Sequence, residues 1–349
     1  MTLAPIHSKV NSYQNFATEY GNLNLTNHLP MAQFALYRVG ASDADFDRFT
    51  NYYIDLHGLR SAETATGIPL QENNWRNYLG ERKFYSDFRL FFARQLTKLG
   101  RTQFLKLYFN DLAKGISSAA FHSLIRLAYG VDSDNDEEIL SGMAYLADAY
   151  LELHGPIPPL SESGNSLHNQ MNYVSEELSS GRLVLPDLEG IIFEKMDIVS
   201  QPEVLASISE NIAIPVGTTL RNFADLALNL YLSTKDFTTL HTVTSCHASR
   251  IMMQYVEHEN LYLQYYYQAF LAAYLTIGAP PVASHETTLR SEDDKLIEEI
   301  KSAAQKATDD HDIKLTYTAL EEHQAYNNNL YLRAAAELYP DLQLEDWLE

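Results

Sequence analysis

His28-Leu29-Pro30-Met31-Ala32-Gln33-Phe34-Ala35-Leu36-Tyr37-Arg38-Val39-Gly40-Ala41-Ser42 sets the fold class. Apolar side chains recur at Met31, Phe34, Ala35 and Val39, the three-and-four spacing of one helical face. Pro30 suits a first helical turn, where no backbone N–H is needed, and Gly40 suits the end. Ser42 then caps a second helix carrying Phe46, Phe49, Tyr53 and Leu56, which Gly58 closes.

The same reading extends along the chain. Helices are predicted near 82–99, 102–114, 117–129 and 136–153, where Gly155-Pro156-Ile157-Pro158-Pro159 ends the pattern. They resume near 202–210, 217–232, 236–257 and 260–276. Two last helices are predicted near 292–307, with the capping signature Ser291-Glu292-Asp293-Asp294, and near 310–337. The stretch 156–190 holds Pro, Ser, Gly and Asn and reads as a loop-rich insertion. The expected architecture is all-α, a single large multi-helical domain over 1–349. No convincing β-hairpin, Gly-rich phosphate loop, G-x-G-x-x-G or G-x-S-x-G stands out. A built-in dinucleotide-binding module is therefore not expected.

Bulk properties narrow the function classes. The chain has 349 residues, 46% of them apolar, enough for a sizeable core. A net charge of −21 repels phosphate backbones and anionic membranes, so neither nucleic acid nor membrane is an expected partner. No secretory signal is read at Met1-Thr2-Leu3-Ala4-Pro5-Ile6-His7, and the only cysteine, Cys246, cannot form a disulfide within the chain. Both point to a cytoplasmic setting.

Chemistry-bearing residues concentrate in four helix-like segments containing His28, His122, His241 and His311. The first three lie among apolar neighbours, and a buried imidazole must find a partner. Several converging would make a metal site, although a lone histidine on an apolar helix also reads as a satisfied core residue, and His28 also reads as a helix cap. Lys314 follows His311 by three, so the two share a helical face. Buried, the lysine would lose its proton readily and add carbon dioxide to become an anionic carbamate; exposed, it would simply pair with Asp310. His247 lies six residues after His241, about 120° around a straight helix, which favours His241 as a ligand and His247 as a pocket or structural residue. Thr244 and Ser245 are placed to orient His241. Cys246 beside His247 makes a poor nucleophilic dyad, since neighbours on a helix diverge. Tyr265, Tyr266, Tyr267, Phe270 and Tyr274 line either an aromatic pocket or the core.

These segments together resemble the questin oxidase-like family. The likeness lies in Asn27-His28-Leu29-Pro30-Met31-Ala32 with the residues to Ser42, and in Phe121-His122-Ser123-Leu124-Ile125-Arg126-Leu127-Ala128-Tyr129-Gly130. It continues in Leu240-His241-Thr242-Val243-Thr244 and Asp309-Asp310-His311-Asp312-Ile313-Lys314-Leu315. It runs over roughly residues 22–325. The resemblance implies an oxidoreductase of aromatic polyketide metabolism, acting on an anthraquinone-like small molecule with O2. It implies a non-haem metal, Fe(II) foremost, held by His28, His122, His241, His311 and a carboxylated Lys314. His247, Tyr265 and Arg250 are the expected substrate-binding residues, and no catalytic residue is expected beyond the metal site. An NADPH-dependent Baeyer–Villiger-type oxidase and a non-catalytic helical binding or scaffold protein remain as alternatives.

Overall fold

The computed structural model describes residues 4–286 and 293–342. Over these, the chain is all-α, as expected, with sixteen α-helices and two pairs of two-residue strands. Ser291 and Glu292 of the expected capping signature lie outside the described residues, and the helix that follows spans Asp293–Lys306. Packing resolves two compact units, one formed by Met1–Ala62 with Ser284–Glu349 and the other by Glu63–Ala283.

The first unit is built around the helix Asp310–Tyr326, which packs against Leu29–Arg38 and Leu330–Ala336. Pro30 sits in the first turn of Leu29–Arg38. Ser42 and Asp45 cap the helix Asp43–His57 reciprocally, and Gly58 ends it in the left-handed conformation. A short hairpin pairs Glu19–Tyr20 with Leu25–Thr26. The helix expected over 310–337 is in fact two. Asn327, at φ 51°, breaks it, a conformation that asparagine tolerates better than most residues.

In the second unit the helix His122–Asp132 packs against Asp136–Asp148 and against Phe237–Met252, and the latter forms a helical hairpin with Leu220–Thr234. Glycines permit the closest approach. A Cβ on Gly142 would lie 2.4 Å from the Leu127 backbone, and one on Gly130 would lie 2.6 Å from the nitrogen of Ile139. The two helices are also tied by a buried fork in which Arg126 Nε and Nη2 each donate to Glu138 at 3.1 Å.

The stretch 156–190 is loop-rich as expected, around one helix that was not: Leu167–Ser179, capped by Ser166, buries Leu167, Met171 and Val174. Its apolar stripe is narrow, so the polar composition hid it. The helix expected over 117–129 begins only at His122, because Ala119, Ala120 and Phe121 all take positive φ, at 49°, 53° and 68°. The hydroxyls of Ser117 and Ser118 are bonded to the Leu151 backbone, which draws this segment out of helical register.

Candidate metal centre

The first unit places His28, Asp310, His311 and Lys314 together. His28 stands at the N-cap of Leu29–Arg38, yet its side chain makes no capping bond. The Asn27 side chain accepts from the Leu29 N–H instead, at 3.1 Å. The His28 imidazole turns to Asp310, donating from Nδ1 to Oδ2 at 2.5 Å. Its backbone N–H donates to the buried Tyr53 hydroxyl at 2.8 Å. Burial, with Lys314 nearby, pushes the His28 pKa down to about 3, so the ring is neutral at physiological pH. A neutral ring that donates from Nδ1 keeps its Nε2 lone pair for another partner.

His311 and Lys314 share a helical face as their spacing predicts. His311 Nδ1 lies 3.3 Å from Asp310 Oδ2, and its ring meets that of His28 edge-on at 4.6 Å. Lys314 is no surface residue: its side chain is 4% exposed, with Nζ 3.2 Å from Asp310 Oδ2. The pairing with Asp310 foreseen for an exposed lysine is thus present, but in the interior. Burial lowers the Lys314 pKa, and Asp310 opposes that shift. Burial alone would raise Asp310, but His28, His311 and Lys314 outweigh it and hold the carboxyl well below its ordinary range. Asp309 caps the same helix, and Asp309, Asp310 and His311 each bring one ligand atom within 4.8 Å of the others.

In the second unit, the structure pairs His122 with His241. Nδ1 of His122 lies 2.5 Å from the carbonyl oxygen of Ala119, and Nδ1 of His241 lies 2.7 Å from that of Phe237. A carbonyl only accepts, so each Nδ1 carries a hydrogen, and in a neutral ring Nε2 is then an acceptor. These two Nε2 atoms face each other at 2.9 Å. Two acceptor nitrogens at that distance repel unless a cation lies between or beside them. One shared proton satisfies this by making one ring an imidazolium. A metal satisfies it with both rings neutral: for metal–nitrogen bonds of about 2.1 Å, ligands at a right angle lie about 3.0 Å apart. The donor set therefore fits a transition metal.

The run of positive φ before His122 belongs to this arrangement. It returns the Ala119 carbonyl to the imidazole three residues on. Left-handed backbone at a non-glycine residue costs roughly 1–2 kcal/mol each, and strain of this kind gathers at functional sites.

The chain matches the family model described as Questin oxidase-like over residues 25–319. It belongs to the questin oxidase-like family. Membership supports an oxidase-type oxidoreductase. A search of curated proteins returned no match.

For this questin oxidase-like chain, the remaining sequence expectations divide. Thr244 and Ser245 do not orient His241. Their hydroxyls bond to the backbone of their own helix, and Ser245 also meets the Tyr266 hydroxyl. The ring of His241 is set by the Phe237 carbonyl. Tyr266, Tyr267, Phe270 and Tyr274 are fully buried core residues rather than a pocket wall. Cys246 is buried, with Sγ 3.0 Å from the Tyr266 hydroxyl. His247 is buried and faces the Tyr129 ring edge-on at 6.3 Å, whereas Arg250 and Tyr265 are half-buried. Two features were not read from the sequence. Asp310, which in sequence reads only as a partner for Lys314, is the hub of three cationic or imidazole partners. Phe237 opens the His241 helix and supplies the carbonyl that orients its imidazole.

Among the described residues no helix is long and apolar enough to cross a membrane.

Proposed function

We propose that this questin oxidase-like chain is a metal-dependent, non-haem iron oxygenase that oxidises or cleaves an aromatic, polyketide-like small molecule. The observation that carries this reading is the His122–His241 pair, whose Nε2 atoms face each other at 2.9 Å while both Nδ1 atoms are committed to backbone carbonyls. The ligands in this proposal are His28, His122, His241, His311 and Lys314. Three facts of the individual units support it: His28 is neutral and held through Nδ1 by a carboxylate, His311 lies against it, and Lys314 is buried on the same face as His311.

When bound, iron would supply a route for electrons from an electron-rich aromatic ring to O2. The protein's own part is preparation. The carbonyls of Ala119 and Phe237 fix the tautomers of His122 and His241, and the Asp310 carboxylate fixes that of His28. Such outer partners typically change metal affinity by about 10- to 100-fold when removed. Lys314, as a free ammonium paired with Asp310, cannot ligate. As a carbamate it would bring the anion that four imidazoles lack, while its own positive charge disappears from the interior.

Elemental analysis of protein purified without a histidine tag, after anaerobic Fe(II) reconstitution, tests the proposal. About one ion per chain is expected, falling strongly in His241→Ala and His122→Ala because a truncated ligand leaves an unfilled position. Less than about a tenth of an equivalent would overturn it, since the paired lone pairs would then be satisfied by a proton. Oxygen uptake with a phenolic aromatic, with and without NADPH, separates an oxygenase from a Baeyer–Villiger-type enzyme. Carbon-13 NMR with labelled bicarbonate reads the state of Lys314.

A further inference from the structure

Tyr53 lies fully buried on Asp43–His57, and its hydroxyl has two neighbours. It accepts from the backbone N–H of His28 at 2.8 Å. That N–H stands at a helix entrance, where the helix itself offers no carbonyl. A phenol donates as well as accepts, and the Tyr53 hydroxyl is hydrogen-bonded to that of Tyr20. Tyr20 is half-buried, on the strand Glu19–Tyr20. Two phenols therefore run in line from a proposed metal ligand toward solvent.

The rings make a second, parallel path. The imidazole of His57 lies 4.3 Å from the Tyr53 ring and 4.6 Å from the Tyr20 ring, centroid to centroid. The backbone holds Tyr20 in place over this imidazole. Tyr20 pairs with Leu25, the Ala17 N–H donates to the Arg60 carbonyl at 2.9 Å, and Arg60 Nη2 donates to the Gly21 carbonyl at 3.0 Å. Packing alone does not ask for the two hydroxyls. A phenylalanine would fill the Tyr53 site with the same ring, yet it would carry neither the bond to His28 nor the bond to Tyr20.

We infer that Tyr53 and Tyr20 form a redox relay that carries single electrons inward from the protein surface to the metal centre at His28. The inference rests on the proposed function, in which His28 is a ligand and dioxygen is reduced at the metal. When an oxidised centre meets no substrate, Tyr53 supplies one electron to it. The phenolic proton of Tyr53 moves to the Tyr20 oxygen, and Tyr20 releases its own hydroxyl proton to solvent. Tyr20 then returns a hydrogen atom to the Tyr53 oxygen, so the unpaired electron moves outward. A water-soluble enediol or thiol reductant restores Tyr20 by giving up one hydrogen atom. The balance is one electron to the centre, one proton to solvent and one hydrogen atom from the reductant. A buried phenol that loses an electron and keeps its proton becomes a costly buried cation. The hydrogen bond to Tyr20 gives that proton a way out. The half-buried position of Tyr20 gives the reductant a way in.

The test loads full-length protein with Fe(II) anaerobically, measures metal content, and adds hydrogen peroxide without substrate. Electron paramagnetic resonance of freeze-quenched samples, with and without ring-deuterated tyrosine, reads the tyrosyl radical. The parent should give a tyrosyl signal that ascorbate removes rapidly. Tyr20→Phe should keep the radical, now confined to Tyr53, and ascorbate should remove it several-fold more slowly. Tyr53→Phe should lose the signal. Both variants should hold as much iron as the parent, since neither side chain is a ligand. If Tyr53→Phe loses iron, Tyr20→Phe decides alone. Iron-loaded parent without a tyrosyl radical, or equal ascorbate decay in the parent and Tyr20→Phe, overturns the relay and leaves the oxygenase proposal standing. A parent that takes up no iron overturns both, and the metal content identifies that case.

Discussion

Replacing Asp310 by Asn removes the one anion shared by Lys314, His28 and His311. At 3.2 Å, the Lys314–Asp310 attraction is about 5 kcal/mol for an effective dielectric constant of about 20. Desolvation of both groups offsets much of this in the intact pair. Once the carboxylate is gone, only the cost of the buried ammonium is left. Breaking one side of a buried pair typically destabilises by about 3–5 kcal/mol. Urea unfolding of metal-free protein at neutral pH should show a loss of that size in Asp310→Asn. The double variant Asp310→Asn/Lys314→Met should be more stable than the sum of the single losses implies, by about 1–3 kcal/mol. A loss below about 1 kcal/mol, or strict additivity, would refute the reasoning, because Lys314 would then not depend on Asp310 for its charge.

Three further outcomes follow from the geometry. His28 has a folded pKa of about 3 against 6.5 for the free ring, so the unfolded chain takes up a proton that the folded chain refuses. Metal-free protein should therefore lose about 2 kcal/mol as pH falls from 6.5 to 5, a slope that unfolding titrations of His28→Gln should lack. Ala120→Gly relieves left-handed backbone at φ 53° and should raise the melting temperature, with a gain of about 0.5–1 kcal/mol; a lowered one would mean that this turn is right-handed in solution. Gly142→Ala sets a Cβ 2.4 Å from the Leu127 backbone and should cost about 2 kcal/mol or more by thermal unfolding, through overpacking of the pair that carries His122.

Much of this protein was legible before its structure. The all-α class followed from periodicity at Met31, Phe34 and Ala35, because a helix needs only local spacing to declare which face is buried. The caps at Ser42 and Gly58 were equally local. So was the shared face of His311 and Lys314, since a separation of three residues fixes direction on any helix. The order of four histidine segments led to the questin oxidase-like family, and the match over residues 25–319 agrees.

What only tertiary structure decided depends on partners remote in sequence. Spacing alone leaves Lys314 either a surface partner of Asp310 or a buried residue on the His311 face, and it is buried because Leu29–Arg38 covers its helix. His28 caps nothing because Asp310, 282 residues away, takes its Nδ1. Ala119-Ala120-Phe121 spells helix, yet Leu151 draws the preceding serines out of register and turns the backbone left-handed. The approach of His122 to His241 across 119 residues has no local signature at all. Local spacing settles which way a side chain points from its own element. What it meets there is set by packing between elements, and for His122 and His241 that packing brings two lone pairs face to face.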